Sequence, residues 1–255
     1  GQYGGKLRLG SVQFGASSNT VYLTHFNEAS GAIAQDAIIQ LNNINVGSNQ
    51  WVPGKYGSGI YTDPQKSGMS FYPQSSPLSS INLSDTPFTV SFWLKTTDPG
   101  SKGQYPNSMS NILSFHQVEA LDIGLQSPQN SNRISVIALD ANNMFQYYRS
   151  ARNISDGNWH LVTFISNPSL QLNRIIIDGV NVQSFSAQKL TNAGITELRY
   201  FLNEFHQKTP FYGAIDEVRI DKGAITNEEE IANYFSGFTQ YSNDGGTSWS
   251  NISTD

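Results

Sequence analysis

The stretch Phe88-Thr-Val-Ser-Phe-Trp-Leu-Lys95 decides the fold class. Phe88, Val90, Phe92 and Leu94 alternate with Thr89, Ser91, Trp93 and Lys95. Side chains of a strand point to opposite faces in turn, so this pattern gives an extended chain with one apolar face. Its surroundings read the same way. Arg174-Ile-Ile-Ile177 and Val180-Asn-Val182 flank Asp178-Gly179, and Asp-Gly between β-branched runs favours a type I′ hairpin. Ile134 to Leu139 and Met144 to Tyr148 flank Asp140-Ala-Asn-Asn143 and read as a second hairpin. A strand from Trp159 to Ile165 follows the turn Asp156-Gly-Asn158, and Ala214 to Ile220 reads as the last long strand. Turn signals recur about every 8 to 12 residues, which is the all-β pattern.

One short helix is expected near the C-terminus. Thr226 caps it, Glu229 completes a capping box, and Ile231, Ala232, Tyr234 and Phe235 give it an apolar side. The run Glu228-Glu-Glu230 lies in its first turn, where the helix dipole favours negative charge, so it reads as capping rather than catalytic.

Composition narrows the function classes. Of 255 residues, 38% are hydrophobic, 12% aromatic and 14% charged, so there is enough apolar surface to bury and disorder is disfavoured. A net charge of −5 argues against a nucleic-acid groove, which needs clustered Lys and Arg. No apolar run approaches the roughly 20 residues that cross a bilayer. The absence of cysteine excludes disulfides, thiolate metal sites and Cys nucleophiles. The opening Gly1-Gln-Tyr-Gly-Gly5 is neither basic nor apolar, so it reads as a cut from something longer rather than a signal peptide. The chain divides into an N-terminal extension at 1–14, a main β domain at 15–237, and a tail at 238–255 that is a short hairpin or the start of another module.

Common catalytic templates are missing: there is no phosphate-binding Gly-rich loop, no Gly-x-Ser-x-Gly elbow and no His-Glu-x-x-His helix. His25, His116, His160 and His206 are scattered, and each reads first as a hydrogen-bonded structural residue. Binding groups are easier to find. A sugar site needs a flat aromatic face with hydrogen-bonding groups beside it. Tyr105 in the long polar loop 96–111, Tyr147 and Arg149 on one face of a strand, and His116 and Asp122 nearby are the candidates.

Six phrases in order carry a family resemblance: Val21-Tyr-Leu-Thr-His-Phe-Asn-Glu-Ala-Ser-Gly31, Trp51-Val-Pro-Gly-Lys-Tyr-Gly-Ser-Gly-Ile60, Phe88 to Leu94, Asp156-Gly-Asn-Trp-His-Leu-Val162, Ile177-Asp-Gly-Val180, and Phe211-Tyr-Gly-Ala-Ile-Asp-Glu-Val-Arg-Ile220. The set resembles the laminin G-like branch of the concanavalin A-like lectin/glucanase superfamily. The resemblance implies a jelly-roll sandwich of two antiparallel sheets with one short C-terminal helix, and by their family-typical positions it implies that Trp93 and Trp159 are core residues. Some members are glycoside hydrolases with a Glu-x-Asp-x-x-Glu strand motif, which this chain lacks. Related sandwiches often hold one structural calcium ion. By motif position Asp216 supplies its carboxylate, with backbone carbonyls near Asn27 and Gly57 as partners; the alternative is that Asp216 pairs with a Lys or caps a turn.

The expectation is a non-catalytic recognition module that binds a glycan or a cell-surface receptor. Its setting is a larger extracellular or virion protein, such as a phage tail or capsid appendage or an adhesin, where copies associate through the parent. No nucleic acid and no membrane insertion are expected. Two alternatives stay open: an assembly or decoration domain without a small ligand, and a glycoside hydrolase with an unrecognised carboxylate pair. An exposed aromatic cleft would favour the first reading, and two facing carboxylates the last.

Overall fold

The computed structural model describes residues 6–10, 13–38, 43–66, 69–71, 77–100, 109–115, 120–126, 132–186, 188–201, 211–224, 238–242 and 250–251. The first strands are β1 (Lys6–Gly10), β2 (Thr20–Thr24), β3 (Ile33–Gln35), β4 (Asn43–Asn45), β5 (Gln50–Pro53), β6 (Ser58–Thr62) and β7 (Met69–Phe71). Next come β8 (Phe88–Lys95), β9 (Ser110–Phe115), β10 (Leu121–Gln126), β11 (Arg133–Leu139), β12 (Phe145–Asn153) and β13 (Trp159–Asn167). The chain closes with β14 (Leu172–Ile177), β15 (Val180–Ser186), β16 (Leu198–Tyr200), β17 (Gly213–Lys222), β18 (Phe238–Ser242) and β19 (Ser250–Asn251). The helix expected over residues 226–235 lies outside the described residues, and no α-helix occurs among those described.

Two antiparallel sheets face each other. One has the order β15-β14-β13-β8-β17-β6-β5, with β2 added beside β17; the other has the order β12-β11-β10-β9-β16-β7. β17 is long enough to carry two partners on one edge, β6 through Gly213–Ile215 and β2 through Val218–Asp221, while β8 runs along its other edge.

The alternation expected on β8 holds. Phe88, Val90, Phe92 and Leu94 join Val162, Phe164, Ile175 and Ile215 in a core completed by Phe115, Ile123, Ile134 and Val136 of the six-stranded sheet. Each large apolar side chain buried there contributes about 1.5–3 kcal/mol against the entropy of ordering the chain. The reverse face of β8 is covered too. Trp93 lies in a second cluster with Phe14, Leu23, Tyr56, Leu161, Ile165 and Ile176. Lys55 Nζ sits 4.3 Å above its ring, a cation–π contact. Trp159 is only half-buried.

Phe14 therefore packs on the sandwich, and its N–H donates to Glu217 at 2.8 Å. β1 pairs with β18, and β18 with β19, so the two terminal segments form one three-stranded sheet.

Both hairpins form as read. Asp178 (φ +55°) and Gly179 (φ +75°) make the two-residue loop between paired Ile177 and Val180. In the second, Asp140 accepts the amides of Asn142 and Met144 at 2.8 and 2.9 Å, which fixes the register of β12 on β11.

Candidate functional site

Three strands of the six-stranded sheet build a polar surface on the side away from the core. Leu121, Ile123 and Leu125 of β10 belong to the core, so Asp122, Gly124 and Gln126 face outward. On β11, Ile134 and Val136 point inward, while Ser135 and Ile137 point out. The register then aligns Tyr147 with Ile137 and Ile137 with Asp122, and sets Arg149 opposite Ser135. Asp122 pairs in turn with Ser114, and Ser114 with Arg199 of β16. One row thus runs Tyr147–Ile137–Asp122–Ser114–Arg199.

Hydrogen bonds tie this surface together. Arg149 donates from Nη2 to Gln126 Oε1 at 2.5 Å and from Nε to Ser135 Oγ at 3.4 Å. Ser135 Oγ donates to the same Gln126 oxygen at 3.3 Å. Asp122 accepts from Asn111 Nδ2 at 3.2 Å and from Ser114 Oγ. The floor is buried, but the rim is open: Tyr147 is 41% exposed and its ring lies 6.5 Å from that of Phe145. Partial burial and the neighbouring Arg133 guanidinium lower the pKa of Arg149. The arrangement offers an aromatic platform beside a cation and preorganised polar groups, which suits recognition. Two carboxylates among the described residues are engaged: Asp122 by its two donors, and Glu197 by an ion pair with Arg199 at 2.6 Å.

Asp122, Tyr147 and Arg149 are therefore brought to one face, as the sequence reading requires of a binding site. Tyr105 and His116 lie outside the described residues. Gln126, Ser135, Asn111 and Ser114 are missed from sequence. The alternation Asp122-x-Gly124-x-Gln126 is a signal for the β10 members, whereas the others depend on register.

The residues expected to hold calcium gather around the loop 54–58. A β-bulge shifts β17 against β8 between Asp216 and Arg219, with Glu217 at φ +52°. Asp216 is fully buried, and Tyr56 N donates to its Oδ2 at 2.9 Å. Its Oδ1 has no hydrogen-bond partner among the described residues, and burial pushes the carboxyl up to about 8. Gly54 is required beside it, since a Cβ there would lie 2.6 Å from Oδ2. Asn27 Oδ1 lies against Gly57, where a Cβ would come within 2.2 Å, and accepts the Ser58 amide at 3.5 Å. No group of three His, Asp or Glu side chains suited to a metal occurs among the described residues. An ion here would rest on Asp216 and on main-chain or amide oxygens, a donor set that fits calcium in kind.

Glu217, also buried, accepts the Phe14 amide and meets His25 Nδ1 at 2.9 Å. Its hydrogen bond raises the pKa of His25.

A family model described as the concanavalin A-like lectin/glucanases superfamily matches residues 73–232. The chain belongs to that superfamily, in its laminin G-like branch. No curated protein matches the sequence. Among solved structures, this superfamily member resembles the binding domain of Paraclostridial Mosquitocidal Protein 1, with TM-score 0.65 and 17% identity over 85% of this chain and 52% of that one. It resembles domain 4 of AbnA, a GH43 extracellular arabinanase from Geobacillus stearothermophilus solved with arabinotriose, with TM-score 0.60 and 16% identity over 85% of this chain and 98% of that domain. The binding domain of botulinum neurotoxin DC in complex with SialylT gives TM-score 0.63 and 13% identity over 86% of this chain and 51% of that one. The chain spans about half the length of the toxin binding domains it matches. At these identities the likeness is one of fold.

Proposed function

We propose that this chain is a non-catalytic recognition module that binds a glycan, free or on a surface receptor, through the outer face of the six-stranded sheet. The observation that carries this reading is Tyr147, exposed on the same face as Arg149, Gln126 and Asp122. Stacking on an aromatic ring and a few directed hydrogen bonds supply millimolar to micromolar affinity, about −4 to −8 kcal/mol. A saccharide bound to one domain of this fold, the arabinanase domain 4, supports the class of ligand. Among the described residues of this face the two carboxylates, Asp122 and Glu197, are both engaged, which favours binding over the acid and base roles of glycoside cleavage.

The proposed setting is extracellular or on a virion surface. No helix among the described residues is long and apolar enough to cross a membrane. Calcium at Asp216 is part of the proposal, as a structural ion rather than a participant in binding.

A second reading, an assembly domain, is favoured by Met144 (62% exposed) and Phe145 (37%) beside Tyr147. A glycan array probed with the intact chain separates the two. Retention of a defined glycan class supports recognition, whereas retention of none, with self-association in solution, supports assembly.

A further inference from the structure

The opposite side of the sandwich carries a pocket, independent of the face proposed above. On the eight-stranded sheet Ile60, Leu94 and Ile215 point into the core, so Tyr61, Lys95 and Ala214 point away from it. The register pairs Ala214 with Tyr61 on one side and with Lys95 on the other, forming a single row. These residues and Tyr212, Thr97 and Pro53 line a pocket of about 360 Å³, within the size range of small-molecule sites.

Its walls are fixed. Tyr212 is held at its amide by Asp98 at 3.2 Å, at its carbonyl by Thr96 Oγ1 at 2.6 Å, and at its hydroxyl by the Thr97 carbonyl at 3.2 Å. Ala214 adds little bulk, and Gly213 beside it cannot be enlarged, because a Cβ there would come within 2.7 Å of the Lys95 carbonyl. The ring of Tyr61 is half-buried. Lys95 is exposed and makes no ion pair among the described residues, and its strand is locked between β13 and β17. The Gly157 amide already donates to the Thr96 carbonyl at 2.9 Å, so it is not available to a phosphate.

Two tyrosine rings, an apolar floor and one cation match a ligand with a ring to stack and a single carboxylate to pair. We propose that this pocket binds an acidic sugar, with the pyranose ring against Tyr61 and Tyr212 and the carboxylate on Lys95. The domain would then hold ligands on both sides of the sandwich.

The test titrates the intact chain with N-acetylneuraminic acid, with glucuronic acid and with the methyl ester of each, followed by calorimetry or protein NMR. The expected result is saturable binding of at least one acid and about tenfold weaker binding of its ester, the scale of one charge-assisted hydrogen bond. Lys95→Gln should weaken the acid by a similar factor, Lys95→Arg should largely restore it, and Tyr147→Ala should leave it unchanged. Several results would overturn the proposal: no saturable binding of either acid, equal binding of acid and ester, equal competition by inorganic phosphate, or indifference to Lys95→Gln. Binding lost in Tyr147→Ala but kept in Lys95→Gln would move the ligand to the other face, overturning this site while supporting the first.

Discussion

Tyr147 on β12 and Asp122 on β10 stand on the same face of the six-stranded sheet, two strands apart, with Ile137 paired to both. The sandwich supplies this alignment. The Asp140 turn sets the register of β12, and that register puts an exposed ring next to a buried, hydrogen-bonded floor.

A first prediction concerns pH. His160 is buried between Asp178, 2.8 Å from Nδ1, and Asp156, 3.0 Å from Nε2, and the hydrogen bond to Asp178 leads in raising its pKa. Its protonated form stabilises the native state. That contribution is complete below the unfolded value of about 6.5 and is lost as pH rises through the higher folded value. The thermal midpoint should therefore fall as pH rises from about 6.5 through the folded value. His25, raised by Glu217, acts in the same direction, so His160→Gln should flatten the slope without removing it. An identical slope in the variant would contradict this account.

A second prediction concerns the metal. Calcium added to chelator-treated protein should raise the melting temperature, by mass action on the native state. Asp216→Asn, which keeps the shape and removes the charge, should abolish the response. A melting curve indifferent to millimolar calcium would rule the ion out.

Truncation gives a third. Cutting after Gly237 removes β18 and β19, which pair only with each other and with β1 in the described topology, and leaves both large sheets whole. The midpoint should stay nearly unchanged. Loss of cooperative unfolding would show that the tail belongs to the core.

The fold is legible in sequence where local rules suffice. Alternation on β8, the Asp178-Gly179 turn and the closing strand at Ala214 to Ile220 each state a local preference that the sandwich satisfies. What local pattern does not convey is the covering of the second sheet face. Trp93 reads as core, but its partners Phe14, Tyr56 and Leu161 come from distant segments. The same limit holds for the site. Tyr147 and Arg149 share a strand and are found together, whereas Gln126 and Ser135 become their neighbours only through the pairing of β10, β11 and β12. The bulge at Asp216 is another case, since a one-residue shift against β8 depends on the neighbouring strand.

The most direct test of the central claim is the affinity of the intact chain for the glycan class it retains on an array, compared with Tyr147→Ala and Arg149→Ala. Tyr147 is 41% exposed and belongs to neither core cluster, so its truncation should leave the melting temperature nearly unchanged while weakening binding about tenfold or more, the 1–3 kcal/mol scale of lost stacking and a directed hydrogen bond. Arg149→Ala should weaken it comparably. If both variants fold and bind like the parent chain, recognition does not occur on this face.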